Sequence, residues 1–168
     1  MKAIDNIITR FEDYVTVLCF SLMSIVTLVA VFFRYVLSDP IVWAEEVARY
    51  LMIWGIFIGI SIVTRKKAQL GIDIFVTMAP ENIRKALAFI SHMLLIVTYA
   101  LVLYLSVRFV VDSAKLGNLT PTLRIKFFYV YLAMPIGFLL SLYRALQIFV
   151  NEYIRKIKPD EDREEVYL

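Results

Sequence analysis

The sequence holds one histidine, His92, and one cysteine, Cys19, in 168 residues. With a single imidazole, and no Cys, Asp or Glu at helical spacing from it, the chain has no ligand set for histidine-ligated haem or zinc chemistry. A lone cysteine cannot form a disulfide within the chain. The phosphate-binding loop, the H-E-x-x-H helix, the G-x-S-x-G elbow and paired cysteines are all missing. No internal repeat of the kind that builds inverted-repeat transporter cores is visible. His92 therefore reads as a hydrogen-bonded core histidine and Cys19 as a small packing residue, and the chain reads as lacking a catalytic site.

Charge is also missing over long stretches. Hydrophobic residues make up 61% of the chain, with a mean hydropathy of +0.74, where soluble domains run nearer half. The net charge is +3. Its Lys and Arg residues separate apolar runs and do not line one polar face, so they mark membrane topology and not a nucleic-acid surface. Residues 14–33 carry no charge, and at ~1.5 Å per residue they span about 30 Å, the thickness of a bilayer core. Residues 86–107 hold His92 as their only ionisable group. Residues 127–143 form a shorter run, where Pro135 and Gly137 predict a kink or a close helix contact. Ser21, Ser24 and Thr27 read as interhelical contacts. The fold class is an all-α membrane protein in one domain with four transmembrane helices. The spacing of Ile4, Ile7, Ile8 and Phe11 adds a short N-terminal amphipathic helix lying on the inner membrane surface.

The second span is unusual. Its strictly apolar part, 51–64, is only about 21 Å long. A start at Asp39-Pro40, with Asp39 as N-cap and Pro40 in the first turn, gives a helix over 41–64 that is long enough to cross. Glu45, Glu46 and Arg49 then lie on a membrane helix. At ~100° per residue, Arg49 falls between the two carboxylates one turn deeper. Two readings stand open. The cluster is self-satisfied in the headgroup layer, with Trp43 and Tyr50 as interfacial anchors, or it is a docking point, since intramembrane charge marks function. Gly55 and Gly59 form a G-x-x-x-G packing face, internal or toward another subunit.

Orientation follows from Lys and Arg. Segments 1–13, 65–85 and 144–168 hold two, five and five, twelve in all, against six in 34–50 and 108–126. The positive-inside rule places both termini in the cytoplasm. No signal peptide is read at the N-terminus, and the acidic tail 159–168 reads as disordered.

The stretch Arg34-Tyr35, the block Pro40 to Tyr50 with its W-x-E-E-x-x-R-Y pattern, Trp54 and Gly59 resemble the small membrane subunit of tripartite ATP-independent periplasmic (TRAP) transporters. Gly117 to Gly137, with Thr120-Pro121 and Met134-Pro135-Ile136-Gly137, is similar to that family's last loop and span. The resemblance implies a bacterial inner-membrane protein that is not an enzyme. Its partners would be a large multi-span membrane subunit, which holds the substrate and Na+ sites, and a periplasmic substrate-binding protein that delivers an organic acid such as a sialic acid or a C4-dicarboxylate. No cofactor is expected in this chain. Under this reading Trp43, Glu45, Glu46, Arg49, Gly55 and Gly59 pack on the large subunit or form a structural cluster. Arg34, Asp39, Lys115 and Arg124 face the binding protein. The alternative is a self-sufficient homo-oligomeric four-helix transporter or channel, with Glu45 or Glu46 as its coupling group.

Overall fold

A computed structural model describes residues 2–66 and 81–151. The loop with Lys67, Gly71 and Pro80 and the acidic tail lie outside them. Five helices are present among the described residues: α1 (Lys2–Tyr35), α2 (Ala44–Arg65), α3 (Glu81–Leu116), α4 (Phe127–Tyr131) and α5 (Ala133–Phe149). Four candidate spans, 5–35, 44–65, 86–116 and 127–149, are long and apolar enough to cross a membrane. Among the described residues the protein is all-α, with four such helices.

The N-terminal amphipathic segment is helical, but it forms the first turns of α1 and runs unbroken into the span. Its faces are reversed from those of a surface helix. Ile7 and Phe11 are exposed, while Glu12 is buried against other helices. α2 begins at Ala44 and not at Pro40, with Trp43 as an N-cap that makes no side-chain bond. Asp39, expected to cap it, instead donates its backbone N–H to the Phe33 carbonyl at the end of α1 (3.2 Å). Between α4 and α5 the helix is interrupted at Leu132. Pro135 lacks the N–H that would continue the ladder, so the interruption sits one turn before it.

Helices pack in the order α1, α2, α5, α3, with α4 against α3 and α5. α1 and α3 do not meet among the described residues, so this is an open row and not a closed four-helix bundle. Each contact has its own chemistry. Gly55 on α2 faces α1, where an added Cβ would lie 3.2 Å from the Phe20 ring and 3.3 Å from Cys19. The Gly55/Gly59 stripe is thus an internal packing face. α5 presents Ala133, Gly137, Ser141 and Ala145 at four-residue intervals, all buried. Small residues at this spacing let backbones approach, and at Gly137 a Cβ would overlap the Phe57 carbonyl of α2. α3 is held by an aromatic seam: Phe89–Phe149, Tyr99–Phe138 and Phe109–Tyr131, with ring centroids 5.8, 6.1 and 4.9 Å apart. Offset and edge-on ring pairs contribute about 0.5–1.5 kcal/mol each beyond burial.

Candidate functional site

Polar groups gather at the two ends of the row. At the end where α1 starts and α2 and α5 finish, Arg144 is 2% exposed and Glu12 is fully buried. Arg144 donates from Nε to Glu12 Oε1 (3.3 Å) and from Nη2 to Glu12 Oε2 (3.0 Å). It also bonds Asp5, Thr9 Oγ1 (2.9 Å) and Gln147 Oε1 (3.1 Å). Ser61 of α2 donates to Glu12 at 2.6 Å. Arg65 pairs with Asp13 at 2.7 Å and lies 3.8 Å from Glu12. Thr64 and Tyr99 join α2 to α3 through their hydroxyls (2.8 Å). Three carboxylates and two guanidiniums from α1, α2 and α5 thus face one another, as buried charges require, with Arg65 Nη1 the one buried nitrogen of the cluster that has no hydrogen bond among the described residues.

The sequence reading missed this cluster and took Arg144 as the end of the last span. Two signals could have revealed it. The apolar run resumes after Arg144 with Ala145 to Val150. Asp5, Thr9 and Glu12 also stand at i, i+4 and i+7 on one helix face.

At the opposite end, α2's first turn reaches two different segments. Glu45 pairs with Arg34 at the end of α1 (3.1 Å), both well exposed. Glu46 is buried and accepts from the Tyr50 hydroxyl at Oε1 (2.5 Å). At Oε2 it accepts the backbone N–H groups of Thr122 (2.9 Å) and Leu123 (3.2 Å). Those amides sit at the tip of a short hairpin closed by the Leu119–Lys126 bridge. Thr120 N–H to Ile125 O (2.8 Å) and Phe127 N–H to Asn118 O (3.1 Å) complete it.

Arg49 pairs with neither carboxylate. The i+3 and i+4 spacing is right, but Arg34 and the hairpin amides occupy Glu45 and Glu46, and Arg49 is exposed with no carboxylate in salt-bridge range among the described residues. It borders a groove of about 650 Å³ between the adjoining ends of α1 and α2, lined also by Thr27, Ala30, Arg34, Pro40 and Ala48. Trp43 and Asp39 are exposed. Lys115 is paired with Asp112 (3.2 Å), and Arg124 stands on the hairpin with φ 51°. The site residues at this end therefore fall into separate contacts and not one cluster. Gly55 and Gly59 lie against α1, as described above.

Further along, His92 Nδ1 lies 2.9 Å from the Ala88 carbonyl. Ser24 and Thr27 donate to their own helix, at the Phe20 and Met23 carbonyls, and bridge to no neighbouring helix among the described residues.

An open row of apolar helices, pinned by buried charge at one end and by a carboxylate-held hairpin at the other, defines a multi-pass membrane protein. A sequence model of the DctQ component of tripartite ATP-independent periplasmic transporters matches residues 23–155, and the chain belongs to that family. It is similar to the ectoine TRAP transporter small permease protein TeaB of Halomonas elongata, 28% identical over 141 residues, 84% of this chain and 73% of that one. The sialic acid TRAP transporter small permease protein SiaQ of Vibrio cholerae is 24% identical over 151 residues, 90% of this chain and 86% of that one. The sialic acid TRAP transporter permease protein SiaT of Haemophilus influenzae is 24% identical over 144 residues, 83% of this chain but 22% of the longer protein. The family is one of transporter subunits, and small permeases of this family work with large permease subunits.

Proposed function

We propose that this chain braces the large subunit of a sodium-coupled secondary transporter and helps to seat the soluble protein that delivers the solute. The observation that carries the reading is the open row itself. Its outer helices expose apolar side chains along their length, including Leu18, Ile25 and Val29 on α1 and Leu94, Leu101 and Leu105 on α3. Exposed apolar faces of this extent suit lipid and the helices of a larger membrane partner. Among the described residues the buried charges are engaged within the chain, Glu12 and Arg144 between helices and Glu46 on the hairpin, which supports assigning the sodium and solute sites to the large subunit. The match to only 22% of a longer permease supports a division of one transporter between a small and a large part.

The orientation that follows from Lys and Arg places both termini in the cytoplasm of a bacterial inner membrane. The end carrying Arg34, Asp39, Lys115 and Arg124 then faces the periplasm and the binding protein. Among the charged residues that line the groove, Arg34 and Glu45 pair with each other and Arg49 has no carboxylate in salt-bridge range among the described residues, so the group it meets on the large subunit is acidic or a carbonyl. The solute belongs to the organic acids, of the sialic acid or C4-dicarboxylate kind. Among relatives, the ectoine permease widens that range.

Uptake into liposomes tests the reading. The large subunit and the binding protein, under a sodium gradient, should take up labelled solute only when this chain is included. Equal uptake without it, or uptake by this chain alone, would refute the role.

A further inference from the structure

We propose that Glu46 is a positioning residue that holds the 118–127 hairpin so that Arg124 and Lys126 form a cationic contact for an acidic face of the soluble binding protein. The inference rests on the docking role given above. It differs from the expectation that Glu46 packs on the large subunit or belongs to a structural cluster with Glu45 and Arg49.

Glu46 is buried and meets no cation among the described residues; its oxygens are taken up by one hydroxyl and two consecutive backbone N–H groups. A carboxylate accepting tip amides fixes a turn more firmly than a neutral acceptor, because charge-assisted bonds are the stronger kind. The turn is also locked from within. Thr120 is 2% exposed, and its Oγ1 accepts the Ile125 N–H at 3.2 Å. Together these bonds impose the left-handed backbone at Arg124 (φ 51°), a conformation a non-glycine residue adopts only when its surroundings enforce it.

The enforced turn leaves Arg124 and Lys126 exposed. Neither has a carboxylate in salt-bridge range among the described residues, whereas the nearby Lys115 is neutralised by Asp112. An exposed pair of cations without a carboxylate partner among the described residues, one on the turn and one at the closing bridge of a rigid hairpin, at the end of the molecule that also exposes Arg34, fits an acidic protein surface. Such charges set encounter and register more than ultimate affinity. No residue of the hairpin lines the α1–α2 groove, so its loosening should leave the large subunit bound.

The test titrates binding protein against the reconstituted whole transporter. Glu46→Ala should raise the half-saturating concentration of binding protein about tenfold, a size within reach of one charged contact, while maximal uptake and co-purification of the large subunit stay unchanged. Glu46→Gln should recover part of the loss, because its amide oxygen accepts the same N–H groups. Arg124→Glu should match Glu46→Ala, and the double variant should be no worse than Arg124→Glu alone, since both act on one contact. A nitroxide at Asn118→Cys should gain mobility in Glu46→Ala. Loss of the large subunit in Glu46→Ala would overturn the proposal and restore the interface role. Multiplied defects in the double variant would overturn it too. Unchanged half-saturation in Arg124→Glu, with the nitroxide loosened in Glu46→Ala, would overturn it through the docking role while leaving the hairpin hold in place.

Discussion

Arg144, late in the last span, is buried against Glu12 in the opening turns of the chain, guanidinium to carboxylate at 3.0 Å. Every polar atom of the Glu12 carboxylate is engaged, by Arg144 on α5 and by Ser61 on α2. The first, second and last spans are therefore tied at a single point, and the first turns of α1 cannot lie as a separate helix on the membrane surface.

Truncating Arg144 takes the guanidinium from a fully buried carboxylate, and truncating Glu12 leaves Arg144 with Asp5 as its remaining carboxylate among the described residues. Glu12→Ala or Arg144→Ala should destabilise the fold by about 3–5 kcal/mol, the usual cost of breaking a buried pair. Replacing both with apolar residues should cost less than either single change. Thermal unfolding in detergent of the two single variants and the double separates these cases. A loss in the double equal to the sum of the singles would contradict the pairing.

The glycines of the two interfaces should not be equivalent. A Cβ at Gly137 would overlap the Phe57 carbonyl, whereas at Gly59 the nearest atom, in Thr16, is 3.9 Å away. Gly137→Ala should lower stability by about 1–3 kcal/mol, as overpacking does, and Gly59→Ala should be neutral or slightly stabilising. Midpoints of thermal unfolding in the same detergent rank them, and a tolerated Gly137→Ala would contradict the α2–α5 geometry.

The four spans were legible because their signal is local: an uncharged run of the right length needs no knowledge of its neighbours. What was not legible depends on distant residues. Glu12 and Arg144 are 132 positions apart, and Arg65 and Asp13 are 52 apart, so each charge looked like a membrane-boundary residue until its partner was in place. The small-residue stripe of α5 was seen only at Gly137. Helical spacing predicts Arg49 between Glu45 and Glu46, yet both carboxylates pair elsewhere. Arg34 reaches Glu45 across a chain reversal, and backbone amides claim Glu46. Spacing lists possible partners; tertiary structure decides among them.

The exposed pair Arg34–Glu45 should matter little to stability. Both side chains are more than half exposed, and pairs of this kind contribute about 0–1 kcal/mol. Arg34→Ala should leave the unfolding midpoint nearly unchanged in low and high salt. A large, salt-sensitive drop would show that the pair carries more of the fold than its exposure suggests.

Arg49 is the sharper probe of partner contact, because removing it breaks no hydrogen bond or ion pair among the described residues. Arg49→Ala should leave the purified chain as stable as the parent while weakening its retention of the large subunit, with Arg49→Lys intermediate. Equal retention in all three would remove Arg49 from the interface.

The most direct measurement is affinity purification of this chain from its native membrane in mild detergent, followed by mass spectrometry of the intact complex. A large multi-span permease subunit recovered at one copy per copy of this chain is the result expected of a brace. Recovery of this chain alone, as a stable homo-oligomer, would contradict that role.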